Sequence, residues 1–178
     1  SKLFFFDVKT GELTPVPFFQ ETEILTLRKD HENNLWISVF KKGLFVIAPS
    51  GELLARFNTL NSALKNDYVL AINEVKPGEI WVGTDGGGIQ GIRFRDSSFF
   101  SIPIRSAGYP ELNSISVIYS DEFSNIWLGT INGGAFFLKE VIATFYSDVS
   151  WNNRNSLSSN TVLSLFINNE EEAWIGTD

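Results

Sequence analysis

The 178-residue chain has no cysteine, no methionine and a single histidine. Without cysteine there is no disulfide framework, no thiolate zinc site and no cysteine nucleophile. With one histidine a zinc site would need three carboxylates, so no metal or other cofactor is expected. No apolar run approaches the ~18 residues that a membrane-crossing helix requires. The missing methionine leads to the expectation that the chain is an excised piece of a longer protein, with its addressing signals elsewhere. Positive charge is also scarce. Fourteen Lys and Arg stand against 21 Asp and Glu, for a net charge of −7, and the basic residues are scattered. That argues against a phosphate-binding surface and hence against nucleic acid as a partner.

Core-forming residues are plentiful, at 43% hydrophobic and 14% aromatic, which excludes a disordered chain. The aromatic residues are also ordered along the sequence. Trp36, Trp81, Trp127 and Trp174 lie 45, 46 and 47 residues apart. Each is followed by an aliphatic residue, then by Ser38, Gly83, Gly129 or Gly176, then by Val39, Thr84, Thr130 or Thr177. Twelve residues before each Trp stands a β-branched residue, Ile24, Val69, Ile115 or Val162. Gly43, Gly88 and Gly134 stand seven residues after the first three. Self-similarity at such a period marks a repeat architecture.

Each unit reads as strands. Ile24–Leu27, Val69–Ile72, Ile115–Tyr119 and Val162–Ile167 are apolar and rich in β-formers. Polar turn segments lead from each into the Trp strand, and a Gly-bearing turn leads on to a third strand and a weaker fourth. No window holds a sustained 3.6-residue period, so no long helix is expected. The predicted fold is all-β: propeller blades of four antiparallel strands, with each Trp filling the space between blades. LFFF (3–6) aligns with LFVI (44–47), so the chain starts in a third strand. It ends after a second strand, at WIGTD (174–178). The expected division is a half blade at 1–23, full blades at 24–68, 69–114 and 115–161, and a half blade at 162–178. The two halves would complete one another as a shared blade or, in a piece cut from a larger ring, leave their edges open or pair them with a second chain as a homo-oligomer.

IWVGTDGGGI (80–89) and IWLGTINGGAF (126–136) resemble the two-component regulator propeller repeat. Asp121, Asn125, Trp127, Gly129, Thr130, Gly133 and Gly134 fit that pattern in one repeat. Trp81, Gly83, Thr84, Asp85, Gly87 and Gly88 fit it in another, and SLSSNTV (156–162) is similar to the segment that introduces a blade. The first repeat departs from it: Ser38-Val39-Phe40 replaces Gly-Thr-Asp, and only Gly43 remains of the glycine turn. The resemblance implies part of the periplasmic sensor region of a hybrid two-component system of Bacteroidetes. In such systems two seven-bladed propellers, a β-sandwich, a membrane helix and kinase and regulator domains succeed one another. It further implies a non-catalytic chain, a parent histidine kinase, other blades of that parent as partners, and oligosaccharides from glycans as the signal.

Several residues invite other chemistry. Gly86 to Gly91 satisfies G-x-G-x-x-G after a strand, but a strand-like segment comes next where a dinucleotide site needs a helix. The run therefore reads as a hairpin turn. His31 lies in KDHENN (29–34), a predicted hairpin tip, with no triad around it. Asp121, Glu122 and Asn125 put oxygen ligands close together without the spacing of a calcium loop. Glu170–Glu172 reads as a solvated turn. Trp151 alone stands outside the repeat, beside Asn152, Asn153 and Arg154. A loop Trp with such neighbours would stack on a sugar ring and bond its hydroxyls, or would simply pack on the blade below. Arg105 and Tyr109 occupy the corresponding loop one repeat earlier. The competing functional readings are an interaction scaffold and, with less support, a propeller lyase or glycosidase.

Overall fold

The computed structural model describes residues 3–19, 22–102, 104, 112–121, 123–139, 142–146, 156–168 and 172–178. Among the described residues sixteen strands form five antiparallel sheets in chain order. A two-stranded sheet comes first, with β1 at Phe4–Phe6 and β2 at Leu13–Pro15. Three four-stranded sheets come after it. The first contains β3 (Ile24–Lys29), β4 (Leu35–Val39), β5 (Gly43–Ile47) and β6 (Leu53–Phe57). The second contains β7 (Val69–Lys76), β8 (Glu79–Thr84), β9 (Gly88–Arg93) and β10 (Ser98–Ser101). The third contains β11 (Ile115–Ser120), β12 (Ile126–Thr130), β13 (Ala135–Lys139) and β14 (Ile142–Tyr146). A last pair, β15 (Val162–Ile167) and β16 (Ala173–Thr177), ends the chain. The only helical turns among the described residues are three-residue 3-10 segments at Pro17–Phe19 and Phe94–Asp96.

Within each sheet consecutive strands are hydrogen-bonded neighbours, and the first strands of the three four-stranded sheets and of the last pair lie against one another in turn. This is the radial stacking of a β-propeller, with the first strands innermost. The register repeats as well. Ile24 pairs with Val39, Val69 with Thr84, Ile115 with Thr130 and Val162 with Thr177, and after each pair the first strand carries one extra residue. A bulge at one fixed place in four sheets bends every innermost strand alike.

Period-two alternation explains why each sheet is apolar on both faces. Ile37 and Val39 of β4 face backward, toward Leu3, Val16 and Phe19 of the N-terminal segment. Trp36 faces forward, into a layer with Leu44, Val46 and Phe57 of its own sheet and Val69, Ile72, Ile80, Val82 and Ile92 of the next. Trp81 and Ile89 likewise face the third sheet, against Ile115, Leu128 and Phe136. The four indoles are therefore not equivalent, as the repeat alone suggests. Trp36 is fully buried, stacked on Phe57 and edge-on to Phe94, while Trp81 and Trp127 are half-buried. Trp174 is 64% exposed, because among the described residues no sheet comes after β16.

The Gly-Thr that succeeds the Trp has two separate uses. A Cβ on Gly83 would stand 2.7 Å from both Cβ and O of Ile115, and one on Gly129 would stand 2.6 Å from Val162 Cγ1. Only glycine admits such an approach by the next sheet. In the first repeat Ser38 takes this position, and its hydroxyl donates to the Val69 carbonyl (2.6 Å). The threonine locks its own turn: Thr84 Oγ1 donates to Gly88 O (3.1 Å) and Thr130 Oγ1 to Gly134 O (2.7 Å).

Of the alternatives for the terminal half blades, the sheets show open edges: among the described residues β1–β2 and β15–β16 are separate two-stranded sheets. Phe5 at one end and Phe166 and Trp174 at the other are left largely exposed.

Candidate functional site

Antiparallel topology puts two kinds of connection at one end of the stack. The hairpins between second and third strands lie there, as do the links from a fourth strand to the next first strand. Loops of that kind carry function while the sheets hold them in place. Backbone hydrogen bonds repeat at this end. The N–H groups of Gly43, Gly88 and Gly134 donate to the carbonyls of Asp67, Asn113 and Asn160, each two residues before the next first strand. All three glycines have positive φ, at 79°, 71° and 81°, the left-handed region that favours glycine.

At the first of these junctions the hairpin of residues 40–42 and the link of residues 58–68 border an open surface cleft of about 450 Å³, lined by Lys41, Thr59, Lys65, Asn66, Asp67 and Tyr68. Its walls are held from both sides. Asp67 accepts from the Thr59 N–H (2.7 Å) through one carboxylate oxygen and from the Thr59 hydroxyl (3.0 Å) through the other. Asn66 accepts from the Tyr68 N–H (2.8 Å) and donates to the Asp85 carbonyl of the next sheet's hairpin. Gln90 of β9 accepts from the Lys65 N–H (2.8 Å) and donates to the Ala63 carbonyl (2.9 Å). The Tyr68 ring meets Phe40 edge-on at 4.9 Å, and the Lys41 ammonium lies 5.0 Å from the centre of the same Phe40 ring.

Lys41 occupies a special place in its turn. Its φ is 55°, and the matching positions in the next two hairpins, Gly86 (79°) and Asn132 (66°), are also left-handed. Glycine and asparagine suit that conformation, whereas for lysine it costs about 1–2 kcal/mol. The repeat thus gives up local stability here and places a lysine at the edge of the cleft.

The other residues singled out from sequence are placed elsewhere. Arg105, Tyr109, Trp151, Asn152 and Arg154 lie outside the described residues, as does Glu122. The glycine run 86–91 forms the β8–β9 hairpin and continues into β9. Asp121 is taken up by its own turn at the opposite end of the stack. It accepts from the N–H groups of Phe123 (3.0 Å) and Asn125 (2.8 Å) and from Asn125 Nδ2 (2.9 Å). Asp30 does the same for Glu32 and Asn34, and its second oxygen also accepts from Trp36 Nε1 (2.9 Å). His31 bridges two sheets: its N–H donates to Glu74 Oε2 (2.6 Å), and Nδ1 lies 2.6 Å from Glu74 Oε1. That hydrogen bond raises the imidazole pKa above its ordinary value. Among the described residues no cluster of three or more His, Cys, Asp or Glu could hold a metal ion.

Sequence reasoning missed all six cleft residues: the turn and link positions recur from repeat to repeat, but the side chains at them do not. One signal was present. The hairpin that departs from the Gly-Thr-Asp pattern is the one that supplies Phe40 and Lys41.

No protein-family model matches the chain, and neither does any curated protein. Solved structures do. The extracellular domain of the hybrid two-component system BT4673 of B. thetaiotaomicron superposes with a TM-score of 0.74 at 19% identity, over 99% of this chain and 24% of that one. The corresponding domain of BT3049 gives 0.61 at 16% identity, over 98% and 27%. PorZ, a surface component of the type-IX secretion system of Porphyromonas gingivalis, gives 0.72 at 19%, over 98% and 28%. The WD40 propeller of Doa1 gives 0.68 at 12%, over 94% and 52%. The chain thus spans about a quarter of the length of the two-component extracellular domains it matches. At these identities the likeness is one of fold: four-stranded blades of a β-propeller.

Proposed function

We propose that this chain is a non-catalytic portion of the extracytoplasmic, periplasmic sensor region of a hybrid two-component signalling protein with a histidine kinase in its parent. Its blades dock on other blades of that parent, and the loop end of the stack meets an oligosaccharide derived from a glycan. The observation that carries the reading is the agreement of two independent lines. The Ile/Leu-Trp-x-Gly-Thr repeat resembles that family, and the whole chain superposes on extracellular domains of such systems. The side chains that invite a triad or a calcium site are otherwise engaged, His31 with Glu74 and Asp121 with its own turn.

Signal would pass as a shift in how blades pack when loops on one end are drawn together. The cleft suits this, since its wall residues are bonded to both the preceding and the succeeding sheet. The test is the gene that encodes the chain. A membrane helix and kinase motifs in the same reading frame are the expected result, and a hydrolase or lyase domain in their place would overturn the assignment.

A further inference from the structure

We infer that two copies of this chain close one ring, the last strand pair of each copy joining the first pair of the other to make a four-stranded blade. An unpaired sheet edge is a template for another strand, and the two open edges here are matched pieces of one blade. β16 aligns with the second strands of the complete sheets and β1 with their third strands. In those sheets Trp36 stands opposite Val46, Trp81 opposite Gly91 and Trp127 opposite Phe137. The same register sets Trp174 of one copy opposite Phe5 of the other. Trp127 and Phe137 are the precedent for that pair, with ring centres 4.6 Å apart. Phe5 and Trp174 are both largely exposed in the single chain.

The faces match as well as the edges. Ile72 and Ile118 are each 3% exposed under the preceding sheet, whereas Leu27, at the same repeat position in the first four-stranded sheet, is 42% exposed. β1 and β2 stand in for the outer strands of a preceding blade and leave the inner strand's place open. At the other end Trp174 and Phe166 carry an uncovered apolar face. Gly176 holds the place of Gly83 and Gly129, whose missing side chains admit the first residue of the next sheet; Ile24 of the second copy would be that residue. The count of blades sets the number of copies. Two terminal pairs and three complete sheets amount to four blades per chain, so two copies give eight, the upper end of the usual range of about 4–8, and three copies exceed it. The chain also follows 52% of the Doa1 propeller over 94% of its own length, so its sheets already turn as those of a ring about twice as long do. The contact then occurs twice, related by a two-fold axis.

The test is sedimentation velocity of the full chain across micromolar concentrations, where the mass of two chains is expected. Trp174→Glu and Phe5→Asp should each halve it. Both positions are exposed in a single chain, so far-UV circular dichroism should not change and the dissociated chain should keep its stability. The melting temperature of the wild type should rise with concentration, and that of Trp174→Glu should not. Leu60→Glu, a change at an exposed residue of the 58–68 link, should leave the mass at two chains. Cross-linking reads the register, since the chain has no cysteine of its own. Phe6→Cys/Ala173→Cys sets two thiols opposite one another and should oxidise to a two-chain product. Phe6→Cys/Gly176→Cys, three residues out of register, should not, because thiols that far apart cannot be bridged. A single chain at every concentration would overturn the inference and leave both edges to other blades of the parent. A disulfide within one chain, or a mass that grows without limit, would overturn closure by two copies. The inference rests on blade geometry alone, and the sensor assignment is decided apart from it by the parent gene.

Discussion

Replacing Trp36 by alanine should cost the chain about 3–5 kcal/mol, and the same change at Trp174 less than about 1 kcal/mol. An indole buries roughly 150–250 Å². At about 25 cal/mol per Å² that gives ~4–6 kcal/mol for complete burial, an upper figure because unfolded chains already hide some apolar surface. Trp36 realises all of this, since it is fully buried between two sheets and stacked on Phe57. Its Nε1 also donates to Asp30, which keeps three other hydrogen bonds if the indole is lost. Trp81 and Trp127 are half-buried and should fall between the extremes. In a chain of this size 1 kcal/mol moves the melting temperature by about 2–4 °C, so Trp36→Ala should lower it by about 6–20 °C and Trp174→Ala by a few degrees at most. Thermal and urea unfolding monitored by far-UV circular dichroism measures the series. Equal losses at all four positions would refute the reasoning, because burial would then not set the energy. So would a larger loss at Trp174 than at Trp36.

Three further outcomes are expected. Gly83→Ala should destabilise by about 1–3 kcal/mol in the same assay, because the new methyl meets the Ile115 backbone and side chain; Gly11→Ala has nothing within 4 Å and pays only for its positive φ. His31 has its pKa raised, chiefly by the hydrogen bond to Glu74 and further by the charges of Glu74, Glu32 and Asp30. Its contribution is therefore complete below the unfolded value of about 6.5 and is lost as pH rises through the higher folded value, so the stability difference between wild type and His31→Gln should shrink across that window. Asp121→Ala should cost about 1–2 kcal/mol through the lost turn bonds, while millimolar calcium or EDTA leaves the wild-type melting temperature unchanged; a calcium-dependent rise would restore the metal reading.

The sheets were legible because blade packing imposes one rule on every repeat. A forward-facing Trp, a glycine where the next sheet comes closest and a threonine that ties its own turn recur for the same physical reason at each junction. The repeat conceals position in the stack. Trp36 and Trp174 sit in similar local sequence, yet one is sealed and the other bare, since burial depends on whether another sheet packs over the indole. The bulge after Ile24, Val69, Ile115 and Val162 was hidden too, because the extra residue (Leu25, Leu70, Ser116 or Leu163) breaks no polar–apolar alternation that a partly buried strand must keep. The cleft was least visible. Lys41, Thr59, Lys65 and Tyr68 owe their meeting to two segments with no periodic signature, and only the irregular hairpin at Ser38-Val39-Phe40 hinted that local regularity had been given up there.

The hydrogen bond from each turn glycine to the segment ahead of the next blade has an evolutionary consequence. Every such latch, at Gly43, Gly88 and Gly134, joins a unit only to its immediate successor. Duplication or loss of one whole unit therefore leaves all remaining latches chemically unaltered. Gene segments of this kind can lengthen or shorten in steps of one module without inventing a new contact, and innovation is free to accumulate in a single divergent turn.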